Sequence, residues 1–272
     1  MAASEGGSRP DLASICGLVL AVGGILGGLI LEKGSLRDVA QFTAAMIVVG
    51  GTLGAVMVNT PFDTLKAAAA QLKLVLFEPK QPLSGLIDEI IVYATKARKQ
   101  GIVSLESDAM NIADPFLRKA VNLAVDGTDI DDLRAMMELE IDLAEHSMEN
   151  VAKVFDNGGG YAPTIGIIGA VLGLIQVMKN LANLEEVGHG IAVAFVATVY
   201  GVGLANVFLL PAGGKIRARA AKDRQTRELT LAGVIGIVEG ANPKLIRNKL
   251  NAYLADGAAG QQSKRAAAPR AA

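Results

Sequence analysis

The chain has 272 residues, of which 51% are hydrophobic but only 4% aromatic and none Trp, with 19% charged residues and a mean hydropathy of +0.39. This balance excludes a disordered chain and a nucleic-acid binder, and an apolar mass of Ala, Val, Ile, Leu and Met with 31 Gly suits helices packed closely in lipid. The single Cys16 excludes an internal disulfide framework or thiolate cluster, and His146 and His189 leave little for zinc.

Residues 1–11 lack the basic n-region of a signal peptide, and the first apolar segment is followed by Glu32-Lys33 without a cleavage signal, so no cleavage is expected. Four stretches are free of Asp, Glu, Lys and Arg: 12–31, 39–62, 157–178 and 187–214. A hydrocarbon layer of roughly 30 Å takes about 20 helical residues, and backbone within it must satisfy its own hydrogen bonds. Four membrane spans are therefore predicted, near 12–31, 39–59, 161–178 and 190–211. Of the 26 Lys and Arg, ten lie in 61–160, twelve in 212–272, and Arg9 adds one. By the positive-inside rule both termini and the long loop are cytoplasmic, with tight hairpins outside. The run Lys215-Ile-Arg217-Ala-Arg219-Ala-Ala-Lys222, just past span four, reads as a topology determinant and secondarily as a contact for anionic lipid.

The resulting class is all-α: a polytopic membrane protein with four transmembrane helices and a helical cytoplasmic domain. Its divisions are a cytoplasmic N-terminus (1–11), spans one and two (12–59), a cytoplasmic helical domain (60–160), spans three and four (161–211), cytoplasmic C-terminal helices (212–257) and a disordered tail (258–272). Within 60–160, Thr60-Pro61 predicts a helix start and a helix to about Phe77, broken by Glu78-Pro79-Lys80-Gln81-Pro82. A second helix over about 84–99 ends at Gly101. Ser104 is read as the cap of a short helix over 105–112, and Asp114-Pro115 opens another that ends near Gly127. Thr128 is read as the cap of the longest helix, whose apolar residues Ile130, Leu133, Met137, Ile141, Ala144, Met148, Val151 and Phe155 step by three and four. In the tail, helices over about 212–240 and 243–255 are predicted, the second opened by Asn242-Pro243 and ended by Asp256-Gly257.

The spans hold no ionisable carboxylate or base, although membrane proton and ion sites normally need one at depth. An ion translocator built from this chain needs a partner to supply it. Polar side chains in the spans are few, Thr164, Gln176, Thr198, Tyr200 and Asn206 among them, and hydroxyls there commonly back-bond to their own helix. Small-xxx-small pairs recur at Gly23/Gly27, Gly24/Gly28, Gly50/Gly54 and Gly169/Gly173, which indicates tight helix packing. Gly158-Gly159-Gly160 is no phosphate loop, since no Lys-Ser/Thr follows. Lys96-Ala-Arg98-Lys99-Gln-Gly101-Ile-Val-Ser104-Leu-Glu106, with Asp108 beyond, sets a basic cluster at a helix end against acids past the next cap. Spacing alone reads this as dipole complementarity and solvation.

Three motifs carry a resemblance over about 11–255. The Lys96–Glu106 segment is similar to the cytoplasmic segment of the flagellar stator A subunits, the MotA/PomA group related to ExbB and TolQ, whose Arg and Glu contact the rotor protein FliG. Tyr161-Ala-Pro163-Thr-Ile-Gly-Ile-Ile-Gly-Ala170-Val-Leu-Gly-Leu resembles that family's third span, and Ala197-Thr198-Val-Tyr200-Gly201 with Pro211 its fourth. The resemblance implies a homo-oligomeric ring of five A subunits around two B subunits. Each B subunit would have one transmembrane helix with an intramembrane Asp and a peptidoglycan-binding domain. It also implies Arg98 and Glu106 as rotor-contacting residues, Thr198, Ala170 and Tyr200 on the ion path facing the partner, and Pro163 and Pro211 as conformational points. Sodium-type members carry Thr at the place of Ala170, so the Ala implies H+ as the transported ion, with no cofactor.

Two relatives of this reading are weaker. An ExbB/TolQ-like energiser has three spans and an outside N-terminus, and a gliding motor would not require the rotor-contact segment. A secondary transporter would show internal repeats and a polar midplane site, and neither is evident. No nucleophile–base pair or metal set stands out, so the chain is not read as an enzyme.

Overall fold

Asp11 opens the first long helix. In the structure, a computed structural model that describes residues 8–79, 83–179 and 181–253, the Asp11 carboxylate accepts the Ser14 backbone N–H at 3.2 Å and caps helix α1 (Leu12–Leu31). Just before it, strand β1 (Ser8–Pro10) pairs with strand β2 (Phe77–Pro79), and the Asp11 N–H continues the ladder to the Leu76 carbonyl at 2.8 Å. The helix expected to reach Phe77 is therefore shorter: helix α3 (Phe62–Gln71) is followed by one turn (Lys73–Leu76) and then β2. The physical reason is Pro79, which disfavours helical backbone in the residue before it. Lys80–Pro82 lie outside the described residues.

Span two begins later than residue 39. Ser35 and Asp38 form a capping box around the single turn Leu36–Val39, Ala40 and Gln41 leave the helix, and helix α2 (Phe42–Asn59) follows. Its Met46–Gly50 segment is in π register. Pro61 is the N-cap of α3 rather than its first helical residue, because its ψ of 143° is extended.

Helix α4 (Leu83–Gln100) ends at Gly101, whose φ of 84° needs no Cβ. A 3₁₀ turn (Ile102–Leu105) and one α turn (Glu106–Ala109) follow. Ser104 does not cap that turn, since its hydroxyl donates to the Gly101 carbonyl at 2.6 Å. Helix α5 (Pro115–Val125) is capped by Asp114 through the Leu117 N–H at 2.7 Å, with Pro115 in the first turn. Asp129, not Thr128, starts the next helix: its carboxylate accepts the Asp131 N–H at 2.9 Å. That helix, α6 (Ile130–Lys179), runs unbroken for 50 residues through Gly158-Gly159-Gly160 and Pro163. Helix α7 (Leu184–Val238) likewise passes without a break from span four into the tail, where a separate helix from 212 was expected, with a π segment at Leu204–Leu209 just before Pro211. Asn242 caps a last helix, α8 (residues 243–253). Asp256-Gly257 and 258–272 lie outside the described residues.

Four of these helices, α1, α2, α6 and α7, are long and apolar enough to cross a membrane. The chain divides into two units: Pro79–His146 with the segment from Ala220, and Ser8–Glu78 with Ser147–Arg219. In the first unit, Ile87 and Ile90 of α4, Leu117 and Val121 of α5, Leu133, Met137 and Ile141 of α6, Leu229 and Val234 of α7, and Ile246 and Leu250 of α8 form one core. Each fully buried aliphatic contributes about 1.5–3 kcal/mol, which is why the stripe on α6 faces inward. In the second unit Val56, Ala68, Val151, Phe155 and Ile216 make one cluster, and Ala44, Val48, Val196 and Ala197 another. No residue of α1 is buried, and Leu20 and Leu31 are largely exposed.

Candidate functional site

Spans three and four meet along a seam made by glycine. A methyl placed at Gly201 would lie 2.5 Å from the Ala162 carbonyl oxygen and 3.2 Å from the Pro163 Cα; one at Gly166 would lie 2.9 Å from the Ala197 carbonyl oxygen. Further along, a methyl at Gly173 would lie 2.8 Å from the Gly190 carbonyl oxygen and one at Gly169 would lie 2.7 Å from the Ala197 Cβ. Only backbone fits there, so the two helices are held at the closest approach available. Of the small-xxx-small pairs in the sequence, Gly169/Gly173 is the one that serves such a contact. Gly23, Gly24, Gly27, Gly28, Gly50 and Gly54 have no atom within 4 Å of an added methyl.

Pro163, Ala170, Thr198 and Tyr200 all stand on or beside this seam. Thr198 is half-buried, its hydroxyl donating to the Ala194 carbonyl at 3.3 Å, the local back-bond common to helical threonines. Ala170 directly follows Gly169 and is half-buried too. The Tyr200 hydroxyl accepts the Gln41 N–H at 3.3 Å and donates to the Val39 carbonyl. It thereby satisfies the backbone where the chain leaves its short turn and enters α2, the point at which span two starts late. Pro163 interrupts the α6 ladder because it has no N–H, and the Thr164 hydroxyl, next to it, bonds back to the Tyr161 carbonyl at 2.7 Å. Pro211 is apart from the seam. It is exposed and follows the π segment Leu204–Leu209, where the wider register accommodates a ring that cannot accept a regular helix.

Acids of the chain stand beside the basic run beyond span four. Lys215 and Arg219 both pair with Asp11, the latter at 2.8 Å. Arg217 pairs with Glu149 at 3.1 Å and with Asp156. Burial alone would raise the Asp11 carboxyl, but hydrogen bonds from Lys215 and the Ser14 N–H, with the charges of Lys215 and Arg219, hold it below its ordinary value. The hydrogen bond that the Arg217 guanidinium donates to Asp156 chiefly raises its pKa. Alternate cations of the run thus serve different helices of the same unit, and much of its charge is neutralised within the chain.

In the other unit, Lys96 at the end of α4 pairs with Asp108 at 2.6 Å across the Gly101 turn. Beside it the Tyr93 hydroxyl donates to Glu89 at 2.7 Å, and burial followed by the neighbouring carboxylates raises its pKa. The Lys96–Asp108 bridge fixes the turn between the two residues singled out by sequence. Arg98 and Glu106 are both exposed, and neither makes an ion pair or hydrogen bond among the described residues. They are free to meet charges of another molecule. Also in this unit, Arg224 pairs with Glu145, Asp142 and Glu228, and these hydrogen bonds raise it further. Among the described residues there is no cluster of His, Cys, Asp and Glu able to hold a metal ion.

Residues 15–101 match the Motility protein A N-terminal family and residues 108–229 the MotA/TolQ/ExbB proton channel family. Motility protein A of Helicobacter pylori is 36% identical over 91% of this chain and 96% of its own length. The chain belongs to the motility protein A family. Motility protein A of Bacillus subtilis is 33% identical over 90% of the chain and 91% of its own, and the chemotaxis protein PomA of Vibrio alginolyticus 32% over 91% and 96%. Among solved structures, the MotAB complex of C. jejuni superposes with a TM-score of 0.84 at 32% identity, and the flagellar MotAB stator complex of Bacillus subtilis with 0.82 at 31%; each covers 89% of this chain and 95% of the other. The family resemblance read from the three motifs is thereby established, and the chain is a membrane protein of the flagellar stator type.

Sequence reading missed the Asp11 hub, the Tyr200 clamp and both π segments. Asp11 carried a visible signal, an acid directly before an apolar run. The partner of Tyr200 lies about 160 residues away in the chain, which no local pattern reports.

Proposed function

We propose that this chain is the A subunit of a flagellar stator that, with a B-type subunit, forms a proton channel and converts ion flow into torque. The observation that carries this is a pairing of presence and absence. The four candidate spans include a glycine-made seam flanked by half-buried Thr198 and Ala170, yet 12–31, 39–62, 157–178 and 187–214 contain no Asp, Glu, Lys or Arg. The proton-binding carboxylate comes from the partner's single span, and Thr198, Ala170 and Tyr200 face it. Five copies of the chain surround two partner subunits in the inner membrane, with both termini cytoplasmic.

Arg98 and Glu106 reach the rotor protein FliG, and the Lys96–Asp108 bridge holds the turn that presents them. Pro163 and Pro211, each a missing donor in a long helix, are where α6 and α7 adjust as the carboxylate gains and loses its proton. Similarity to MotAB complexes over 89% of the chain supports the partner, and Ala at position 170 supports H+. The test is complementation of a stator-deficient strain with this chain and its B-type partner. Swimming in sodium-free medium that collapses with a protonophore supports the reading; swimming only in sodium, or none with any B-type partner, overturns it.

A further inference from the structure

A groove of about 540 Å³ lies in the membrane unit between the start of α1 and the cytoplasmic end of span four. Its α1 wall is Ala13, Gly17 and Ala21, one residue per four-residue step and so on one face, with Ser14 and Leu18 beside them. Its other wall is Val207, Phe208 and Pro211, at and after the π segment. Small residues at this spacing usually bring two helices together. Here an added methyl at Gly17 meets nothing within 4 Å, and no residue of α1 is buried. The small face therefore walls an open space within a unit that is read as crossing the bilayer.

The rim of the groove is cationic. Lys215 and Arg219 pair with the one carboxylate of Asp11, and Arg9, in β1, precedes that residue by two positions. Lys215 itself lines the groove, and Arg9 is exposed with no partner among the described residues. The Arg219 Nε is buried without a hydrogen-bond acceptor. An anion at this rim has charge to meet that Asp11 leaves unbalanced.

We propose that the groove holds one acyl chain of an anionic phospholipid from the leaflet that meets this rim, with its phosphate on Arg9 and Lys215. Size decides between a lipid chain and a helix of a second copy. From Ala13 to Ala21 a helix rises roughly 12 Å, so a volume of about 540 Å³ gives a cross-section of about 45 Å². A helix 10 Å wide needs about 80 Å²; an extended hydrocarbon chain is much thinner.

The experiment reconstitutes the full chain with its B-type partner in mixed phosphatidylcholine and phosphatidylglycerol vesicles. Each lipid is supplied in turn with a photoactivatable group in one acyl chain, and labelled peptides are mapped by mass spectrometry. The expected result is labelling of 13–21 and 206–218, favouring phosphatidylglycerol by about five-fold per rim cation engaged, from roughly 1 kcal/mol each. Gly17→Leu, whose side chain would occupy the groove, removes that labelling while leaving labels elsewhere on the spans. Arg9→Gln, exposed and unpaired, lowers the preference about five-fold without removing the label, and keeps the test available if Gly17→Leu does not insert. Unlabelled groove peptides, labelling unchanged in Gly17→Leu, or equal labelling by both lipids would overturn the proposal. None of these results depends on torque or on the identity of the transported ion.

Discussion

Adding one methyl group at Gly201 is the sharpest perturbation of the seam between spans three and four. The new Cβ in Gly201→Ala would sit 2.5 Å from the Ala162 carbonyl oxygen, 3.1 Å from the Gly166 Cα and 3.2 Å from the Pro163 Cα. All three are backbone atoms, so no side chain can rotate away and the helices must separate. Overpacking of this kind costs about 1–3 kcal/mol, and the strain falls beside the proline proposed as a point of adjustment. The control is two residues along the same helix: an added methyl at Gly203 has no atom within 4 Å. Gly203→Ala should be neutral or favourable by up to about 1 kcal/mol of helix propensity. The assay heats detergent-solubilised protein in steps and measures by size-exclusion chromatography the fraction that stays monodisperse. Gly201→Ala is expected to lower the midpoint by roughly 3–8 °C and Gly203→Ala to leave it unchanged or higher. Equal midpoints for the two variants would refute the close approach on which the seam rests.

Three further tests probe the other contacts. Tyr200→Phe strands the Gln41 N–H and the Val39 carbonyl and should cost about 1–3 kcal/mol in the same heating assay; no loss would mean that the hydroxyl does not hold the entry to α2. Asp11→Asn leaves Lys215 and Arg219 without their carboxylate, which lowers stability at neutral pH. Because the Asp11 pKa is depressed on folding, its contribution is present above its ordinary value near 3.8 and is lost as pH falls through the folded value. Heating midpoints of wild type and Asp11→Asn should therefore converge below that value; a constant gap from pH 7 to pH 3 would contradict the hub. Arg98→Glu with Glu106→Lys should change stall torque by an amount different from the sum of the single variants, since both charges are free to meet one partner surface; strict additivity would count against a shared interface.

Much of the fold was legible because the bilayer imposes long charge-free stretches. The four candidate spans, the apolar stripe Leu133, Met137 and Ile141, and the Asp114 cap were all read from period and composition. What escaped were places where a distant residue decides a local outcome. Span two starts at Phe42 rather than near 39 because Tyr200 takes up the backbone of Val39 and Gln41. The Lys215–Lys222 run reads as a topology determinant and a lipid contact, and only the fold brings Asp11, Glu149 and Asp156 beside it. The small-xxx-small signal was similarly ambiguous: four pairs share the spacing, but only Gly169/Gly173 meets another helix of the chain. For the candidate site, the motifs supplied the residues, and the structure added that Pro163, Ala170, Thr198 and Tyr200 share one seam whereas Arg98 and Glu106 belong to the other unit. The absence of a carboxylate in the spans was the one functional inference that required no partner contact to read.

That absence is also where the account is most directly tested. The chain should be reconstituted in vesicles carrying an internal pH dye, first alone, then with its B-type partner, then with a partner whose intramembrane Asp is replaced by Asn. Proton flux under an imposed potential should appear only with the unaltered partner and be absent in the other two cases. Equal flux from the chain alone would contradict the claim that the proton-binding group lies on a second subunit.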